Sequence, residues 1–388
     1  MPSTRVAIVQ QPDYSGTVLT AVKKAIDLAG GLSGIISPGD TVLIKPNLLS
    51  PRPPEEAVTT HPEVVRAVVE CVREAGAKRV WIGDSCAGAH SDEILWNKTG
   101  MRQVAESTGA ILKSFHKAVK PRPVAGQPVP VPAWLDEVDT VISLPKMKTH
   151  ALTGLTCAMK NTYGLISGAA KSAYHASHPS PRSMSTFLVD VYIALKPDFF
   201  IVDCIEALEG EGPANGAPKA VGLILAGADG VAIDTVCARM LKGGPKQVPM
   251  LAMAAALNAG TADVESIECV GDGVDQLERA RLRPSIGRHL LAIPEWLFKP
   301  VTRLLACHPK INQSLCVKCG ICADICSQNA ISGNSRDGYR VNGKTCIMCM
   351  CCSESCPKEA LAARSPLAFF GRIGGFFKKK PPDSADKL

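Results

Sequence analysis

The sequence predicts a layered α/β domain with a largely parallel sheet, joined to a small cysteine-rich α+β module. Three observations carry that prediction. Short β-branched runs alternate with helical patterns over the first ~275 residues, the rhythm of a sheet covered by helices. Nine of the 16 cysteines fall between Cys316 and Cys356, the other seven being scattered upstream. The 388 residues are 46% hydrophobic and only 20% charged, which suffices for two or three units with a buried core.

The elements follow in chain order. Residues 5–9 read as a strand and 17–29 as a helix ended by Gly30 and Gly31. Residues 40–45 form the next strand. The segment 61–75 is an amphipathic helix in which Val64, Val65, Val68, Val69 and Val72 share one face and Gly76 supplies the stop. Residues 79–83, 140–144, 199–203 and 221–225 read as further strands, and 156–165 as a short helix. Beyond Gly273 the rhythm decays, and 293–306, interrupted by Pro294 and Pro300, reads as a packed connector. The expected division is an α/β domain over 1–290, a connector over 291–313, the cysteine module over 314–363 and a tail over 364–388.

Within the module, Cys316-x2-Cys319-x2-Cys322-x3-Cys326 repeats at an offset of 30 as Cys346-x2-Cys349-x2-Cys352-x3-Cys356-Pro357. All four cysteines keep the offset, and Ala330-Ile331 matches Ala360-Leu361, so this is an internal repeat. The run is the bacterial-ferredoxin pattern for two [4Fe–4S] clusters, in which the fourth cysteine of each run ligates the other cluster. Cys316, Cys319, Cys322 and Cys356 would hold one cluster, and Cys346, Cys349, Cys352 and Cys326 the other. A pair of zinc sites would need paired two-cysteine knuckles, leaving the third cysteine of each run surplus. Ser327 stands where proline usually follows the first run, and Cys351 is off register and reads as a free thiol packed near a cluster. Two clusters suggest a relay that moves electrons singly.

In the α/β domain the polar residues at strand ends carry the signal, because ligands of open parallel sheets sit at the carboxyl ends of the strands. Lys45 closes a strand and precedes Pro46-Asn47, and Lys146, Lys148 and His150 would project to one side of an extended segment. Lysines after apolar strands are costly to bury without an anion. Convergence of Lys45, Lys146 and Lys148 would therefore make a site for a carboxylate or phosphate; three lysines exposed at loop mouths are the plain alternative. Asp84 and Ser85 end another strand, where they face the same edge or cap a helix. Thr60 and Glu63 read as a capping box around Pro62, with His61 free to face the pocket. Lys160 and Asn161 lie near a short helix start as further donors. Asp203, Glu206, Glu209 and Glu211 could pair with the lysines, bind a divalent ion or act in acid–base chemistry. Asp229 and Asp234 read as caps.

Several classes are disfavoured. There is no G-x-G-x-x-G after a strand, no G-x-S-x-G and no H-E-x-x-H, and the one match to G-x-x-x-x-G-K-[ST], Gly338 to Thr345, falls between the two cysteine motifs rather than between a strand and a helix of the α/β domain. The start, Met1 to Gly16, lacks a signal-peptide pattern, and no apolar run reaches the ~18–20 residues of a membrane span. These features, with the clustered cysteines, read as a cytoplasmic protein.

The motifs Val42-Leu-Ile-Lys-Pro-Asn-Leu48, Thr59-Thr-His-Pro-Glu-Val-Val65, Ile82-Gly-Asp-Ser85, Leu144-Pro-Lys-Met-Lys-Thr-His150 and Ala158-Met-Lys-Asn161 resemble the DUF362 family. So do Glu209-Gly-Glu-Gly-Pro213 and Val231-Ala-Ile-Asp234, and the order extends the resemblance over residues 4–275. It implies an iron–sulfur protein with an appended two-cluster module and a largely unassigned chemistry. It also implies that the motif lysines, Asn47, His61, Asp84, His150 and Asn161 gather in one cleft. No motif compels a likeness to the nickel-pincer lactate racemase fold.

The net charge of +7 divides unevenly. Residues 364–388 hold six basic against two acidic residues, whereas residues 1–313 hold 32 against 30. A nearly neutral body argues against nucleic acid as a partner. The tail joins Phe369, Phe370, Ile373, Phe376 and Phe377 to Arg372 and Lys378 to Lys380, which suits peripheral contact with an anionic membrane. Its three glycines weaken any helix and favour a floppy or partner-docking tail. The leading expectation is an oxidoreductase that receives electrons from a redox partner protein and delivers them to a small anionic substrate. Lys45, Asn47, Lys146, Lys148, Lys160 and Asn161 would bind that substrate, and His61, Asp84 or His150 would supply protons. The alternative is a non-catalytic electron carrier or redox subunit docking a partner enzyme.

Overall fold

The computed structural model describes residues 4–86, 90–168, 170–285, 294, 297 and 308–363. Most of the expected connector and the whole basic tail lie outside the described residues.

Twelve strands build the body: β1 (Thr4–Gln10), β2 (Thr41–Pro46), β3 (Arg79–Ile82), β4 (Ile111–Leu112), β5 (Val119–Val124), β6 (Gln127–Pro132), β7 (Thr140–Leu144), β8 (Lys146–His150), β9 (Gly154–Thr156), β10 (Phe199–Glu211), β11 (Asn215–Gly227) and β12 (Ile267–Val270). The main sheet runs β12-β1-β11-β10-β7-β2-β3-β4, and β5 and β6 form a separate hairpin. Along that path only β11 runs against its neighbours, so the sheet is largely parallel, as expected.

Alternation along the strands explains the layers. Ala7, Val9, Val42, Ile44, Phe199 and Ile201 face one core, covered by the helices Val18–Leu28 and Pro62–Glu74. Their neighbours Val6, Ile8, Phe200 and Val202 face the other, against the helices Pro181–Ala194, Gly230–Ala238 and Pro249–Ala256. Side chains of successive strand residues point to opposite faces, so each strand reads as an unbroken apolar run. The valine stripe of the second helix lies wholly in the first core.

The expected capping box is not the one formed. His61 is the N-cap of Pro62–Glu74, its Nδ1 accepting from the backbone N–H of Glu63 at 3.2 Å. Thr60 is drawn elsewhere: its Oγ1 donates to the carbonyl of Leu144 at 2.6 Å and accepts from the N–H of Asn47 at 2.8 Å. With its hydroxyl engaged between two strand ends, Thr60 cannot cap the helix. Asp229 caps Gly230–Ala238 as expected, whereas Asp234 serves a different helix, accepting from the N–H groups of Ala158 and Met159.

β10 begins beside β7 and continues beside β8, with Asp203 opposite Lys146 and Leu208 opposite Lys148. Pro145 separates β7 from β8, so the chain steps forward and carries its lysines beyond the main sheet. Met147 enters the apolar core while Lys146 and Lys148 alternate with it, the period of a strand.

The cysteine module is a pair of interleaved halves. Pro309–Ile311, before the first motif, pairs antiparallel with Leu361–Ala363, after the second. Ile331–Asn334 and Gly338–Val341 pair between the motifs. The repeat is visible in the backbone: left-handed conformations occur at Lys318, Gly320 and Asn329 and recur at Met348, Met350 and Glu359. Asn312 donates to Ala360 and Asn342 to Ala330, each at 2.7 Å, which ties each half to the other's end. Against the body, Arg52 bonds Glu359 at 2.7 Å and the carbonyl of Cys356 at 3.2 Å. Asn215 Nδ2 donates to Ser353 at 2.8 Å, and Ser327 Oγ to the carbonyl of Ser172 at 3.1 Å.

Candidate functional site

The strand-end lysines are buried, and the structure divides them by partner. Lys45 Nζ lies 2.7 Å from Asp84 Oδ1, whose Oδ2 accepts from the N–H of Leu48 at 2.6 Å. Lys146 Nζ donates to Asp203 at 2.9 Å and to the Tyr14 hydroxyl at 2.7 Å. Each of these ammonium groups has a carboxylate, which lets it stay charged away from water. Lys148 has none: its Nζ donates to Asn47 Oδ1 at 2.5 Å. Asn47 in turn bonds Asn161, which also accepts from Lys45 and donates to Ser143.

A cavity of about 690 Å³, including its open mouth, lies between this polar ledge and the cysteine module. Lys148, Lys160 and Lys171 line it together with Asn47, Asp84 and Asn161. The module contributes Ile325, Cys351 and Glu354. Lys171 Nζ is anchored on the Ser85 carbonyl and Oγ, while Lys160 has no partner among the described residues. Burial lowers the pKa of Lys148 well below the ordinary lysine value, and the charges of Lys160 and Lys146 lower it further. Burial brings Lys171 down to about 8 against the pull of Asp84. Burial likewise lowers Lys160, opposed by Glu354, whose own carboxyl is raised by burial and held back by Lys160. Three lysines and the carboxyl of Glu354 thus face one cavity, with Asp84 already paired to Lys45.

Among the described residues, Thr156 Oγ1 and His175 Nδ1 on its wall have no hydrogen-bond partner, and Asp84 Oδ1 has only its ion pair with Lys45. Buried polar atoms are nearly always bonded, so Thr156 Oγ1 and His175 Nδ1 mark where a polar ligand would sit. Burial, then Lys160, brings the His175 pKa down to about 3, which keeps its ring neutral at pH 7.

The expected single cleft is therefore only partly assembled. Lys45, Asn47, Asp84, Lys148, Lys160 and Asn161 meet at or against the cavity. Lys146 and His61 stand apart from it. The His61 ring stacks on Tyr14 at 3.6 Å and the backbone N–H of His61 donates to Asp203 at 2.9 Å, so both residues belong to the Asp203 hub. The physical reason is the carboxylate: Asp203 satisfies Lys146, Tyr14 and His61 at once. His150 sits behind the wall, its Nδ1 accepting from Leu152 and Thr153 and its Nε2 3.8 Å from Glu354. The acidic stretch pairs with cations and hydroxyls; Glu209 holds Arg283 at 2.6 Å and Glu211 accepts from Ser285 at 3.0 Å.

Sequence reading missed Lys171, His175 and Glu354. Lys171 and His175 are four apart on the helix Ala170–Ser177 and so share a face, a signal that was available. Glu354 lies in the three-residue gap of the second motif, and Asp324 occupies the same place in the first.

The eight repeat cysteines line two cavities in crossed sets. One, of about 320 Å³, is lined by Cys316, Cys319, Cys322 and Cys356. The other, of about 380 Å³, is lined by Cys326, Cys346, Cys349 and Cys352, with Cys351 and Ile325 in its wall. Among the described residues no three His, Cys, Asp or Glu side chains close on one point as ligands of a single ion. Four thiols spread around a cavity suit a polynuclear centre that is ligated at separate corners. Backbone N–H groups of Ala330 and Ala360 donate to the sulfurs of Cys326 and Cys356 at 3.2 and 3.3 Å, as expected for thiolates that carry negative charge.

Fold and thiol cavities define an α/β protein with an iron–sulfur module, and the comparisons agree. Residues 309–332 match the 4Fe-4S binding domain, which supports at least one [4Fe–4S] cluster. Residues 42–239 match the domain of unknown function DUF362, and the chain belongs to that family. It is 31% identical over 249 residues to a thylakoid-associated protein of Synechocystis sp. (strain ATCC 27184 / PCC 6803 / Kazusa), covering 64% of this chain and 77% of that one. Among solved structures, the lactate racemase apoprotein of Thermoanaerobacterium thermosaccharolyticum is similar at a TM-score of 0.38 and 12% identity, covering 57% of this chain and 54% of that chain. A Thermotoga maritima protein is similar at a TM-score of 0.32 and 13% identity, covering 52% of this chain and 53% of that one. The chain thus spans about half the length of each solved structure. Among the described residues no helix is long and apolar enough to cross a membrane.

Proposed function

We propose that the protein is a cytoplasmic iron–sulfur oxidoreductase that reduces a small anionic substrate in the cavity between its α/β domain and its cysteine module. Cys316, Cys319, Cys322 and Cys356 would hold one [4Fe–4S] cluster, and Cys346, Cys349, Cys352 and Cys326 a second. When bound, such clusters supply electrons one at a time. One observation carries the reading: Cys351 and Ile325 line both the second thiol cavity and the lysine-rich cavity, so the two share a wall. Lys148, Lys160 and Lys171 orient the anion, with Asn47 and Asn161 fixing Lys148 and Lys45. His175 Nδ1 and Thr156 Oγ1 supply the remaining polar contacts. The Lys171 ammonium, with a pKa near 8, is the proton source best matched to neutral pH. Two electrons from a redox partner protein, one proton from Lys171 and one from solvent water would convert the substrate to its dihydro form, Lys171 then regaining its proton from solvent. The name of the thylakoid-associated relative agrees with peripheral membrane contact through the basic tail.

Anaerobic purification followed by iron and sulfide analysis tests the cluster part, with about eight of each expected per chain. Zinc without sulfide would remove it. The substrate part is tested by calorimetric titration of the loaded protein with oxalate and with inorganic phosphate. Lys160→Met should weaken whichever binds, and unchanged affinity would return the protein to the class of electron carriers.

A further inference from the structure

The constant offset of the two motifs makes each half of the module a control for the other. At the rim of the first thiol cavity Val317 is 57% exposed, with Cys319, Pro357 and Lys358 exposed beside it, and Leu315, 50% exposed, precedes the lining residue Cys316. Lys318, between the lining residues Val317 and Cys319, is half-buried. The corresponding positions of the second half are Thr345, Ile347, Cys349, Ser327, Gln328 and Met348. Of these, Ile347, Met348 and Cys349 are half-buried while Thr345, Ser327 and Gln328 are exposed, Ser327 also bonding the body through Ser172. The second thiol cavity also shares its wall with the anion cavity, whereas the first shares no lining residue with it. The apolar and cysteine positions of the rim are therefore more exposed in the first half than in the second, which backs onto the anion cavity.

Charge follows the same asymmetry. Lys318 stands where the inner half has Met348, and Lys358 where it has Gln328. The nearest outer carboxylate in sequence, Glu359, is bound by Arg52 at 2.7 Å, and Asp337 by Asn334 at 2.9 Å; Asp324 is exposed on the helix Ile321–Asp324. The outer rim is an apolar patch flanked by two ammonium groups, and the inner rim carries neither. Small redox interfaces are of this kind, with apolar contact close to the centre and charges that steer the encounter.

We propose that Leu315, Val317 and Pro357, between Lys318 and Lys358, form the docking surface for an acidic electron-transfer protein. The partner gives up one electron and is oxidised by one unit, the centre behind Cys319 is reduced by one, and no proton or group moves. This rests on the cluster assignment proposed above and adds the side from which electrons enter.

The test uses the full-length, cluster-loaded protein and an acidic plant-type [2Fe–2S] ferredoxin as probe, with the dissociation constant read by calorimetry at low and at high salt. Steering by charge falls steeply with ionic strength. Lys318→Glu with Lys358→Glu should weaken low-salt binding by about tenfold or more, a range typical of rim charge reversal. Because Lys318 also donates to the Arg336 carbonyl at 2.5 Å, Lys358→Glu alone is the second variant, expected to weaken binding about threefold. Gln328→Glu on the inner rim should leave affinity unchanged, and a basic cytochrome c should bind the double variant more tightly than the native protein. Ferredoxin binding that is absent, insensitive to both lysine variants, or equally weakened by Gln328→Glu overturns the docking surface. If iron and sulfide are missing, the cluster assignment falls instead.

Discussion

Lys171→Met separates a functional cation from a structural one. Burial first, resisted by Asp84, brings Lys171 from 10.5 to about 8. Between those values the unfolded chain binds a proton that the folded chain has released, so native stability rises with pH across that window. The gap of about 2.5 units corresponds to roughly 3 kcal/mol, lost below pH 8 and recovered by pH 10.5. Removing the ammonium also removes its bonds to the Ser85 carbonyl and Oγ, worth roughly 1.5–3 kcal/mol for a charged donor. The variant should therefore match or exceed the native protein by up to about 1.5 kcal/mol at pH 7. It should fall behind it by roughly 0.5–1.5 kcal/mol near pH 10.5, where the folded protein's amine is neutral and its bonds to Ser85 are those of an uncharged donor. Urea unfolding at several pH values reads the crossing, because groups common to both proteins cancel to first order. Affinity for an anion such as oxalate should be about 10- to 100-fold weaker in the variant at pH 7, the loss of one charged hydrogen bond. Native affinity should itself decline as pH rises past 8. Stability curves that stay parallel from pH 7 to 10.5 would refute the reasoning, since Lys171 would then not be a desolvated base.

Three further outcomes are expected. Asp203→Asn strands Lys146 without a carboxylate in a fully buried position and should cost about 3–5 kcal/mol in urea unfolding while iron content is unchanged; an unshifted midpoint would exclude the hub. Gly164→Ala places a Cβ 2.2 Å from Asp84 Oδ1 and 2.6 Å from Lys45 Nζ, so it should split that pair, lower the melting temperature and abolish anion binding; wild-type melting and binding would contradict the geometry. Arg52→Ala removes the bonds to Glu359 and the Cys356 carbonyl, and calorimetry should show the module melting apart from the body; one unchanged transition would mean that docking does not depend on Arg52.

The parts of this molecule that sequence makes legible are those set by local periodicity. Thr140–Leu144 has the expected limits, and the valine face of Pro62–Glu74 follows from the 3.6-residue turn. The crossed cysteine sets follow from spacing alone. What stayed hidden depends on contacts between distant segments. Nothing near Thr60 reveals that Leu144 will claim its hydroxyl. Lys45, Lys146 and Lys148 look alike in sequence, yet Asp84 and Asp203 neutralise two of them and leave the third to an amide. Glu354 joins the cavity only because the module docks there, a placement that no local pattern encodes.

That difference among the lysines bears on function through stability. A lysine paired with a buried carboxylate can hold strand ends together with no ligand present, and its conservation of charge needs only the fold. Among the described residues, Lys148, Lys160 and Lys171 form no ion pair with a carboxylate of the body, and burial shifts each in the direction that opposes its charge, Asp84 resisting only in part at Lys148 and Lys171. A fold gains from replacing such groups with apolar side chains unless something else compensates them. Glu354 can compensate one, and it arrives on the cysteine module rather than on the body. On the proposed function, an anionic ligand would be the partner for the rest. Occupancy of the site would then depend on both the docked module and a bound anion, which would tie it to the position of the proposed cluster.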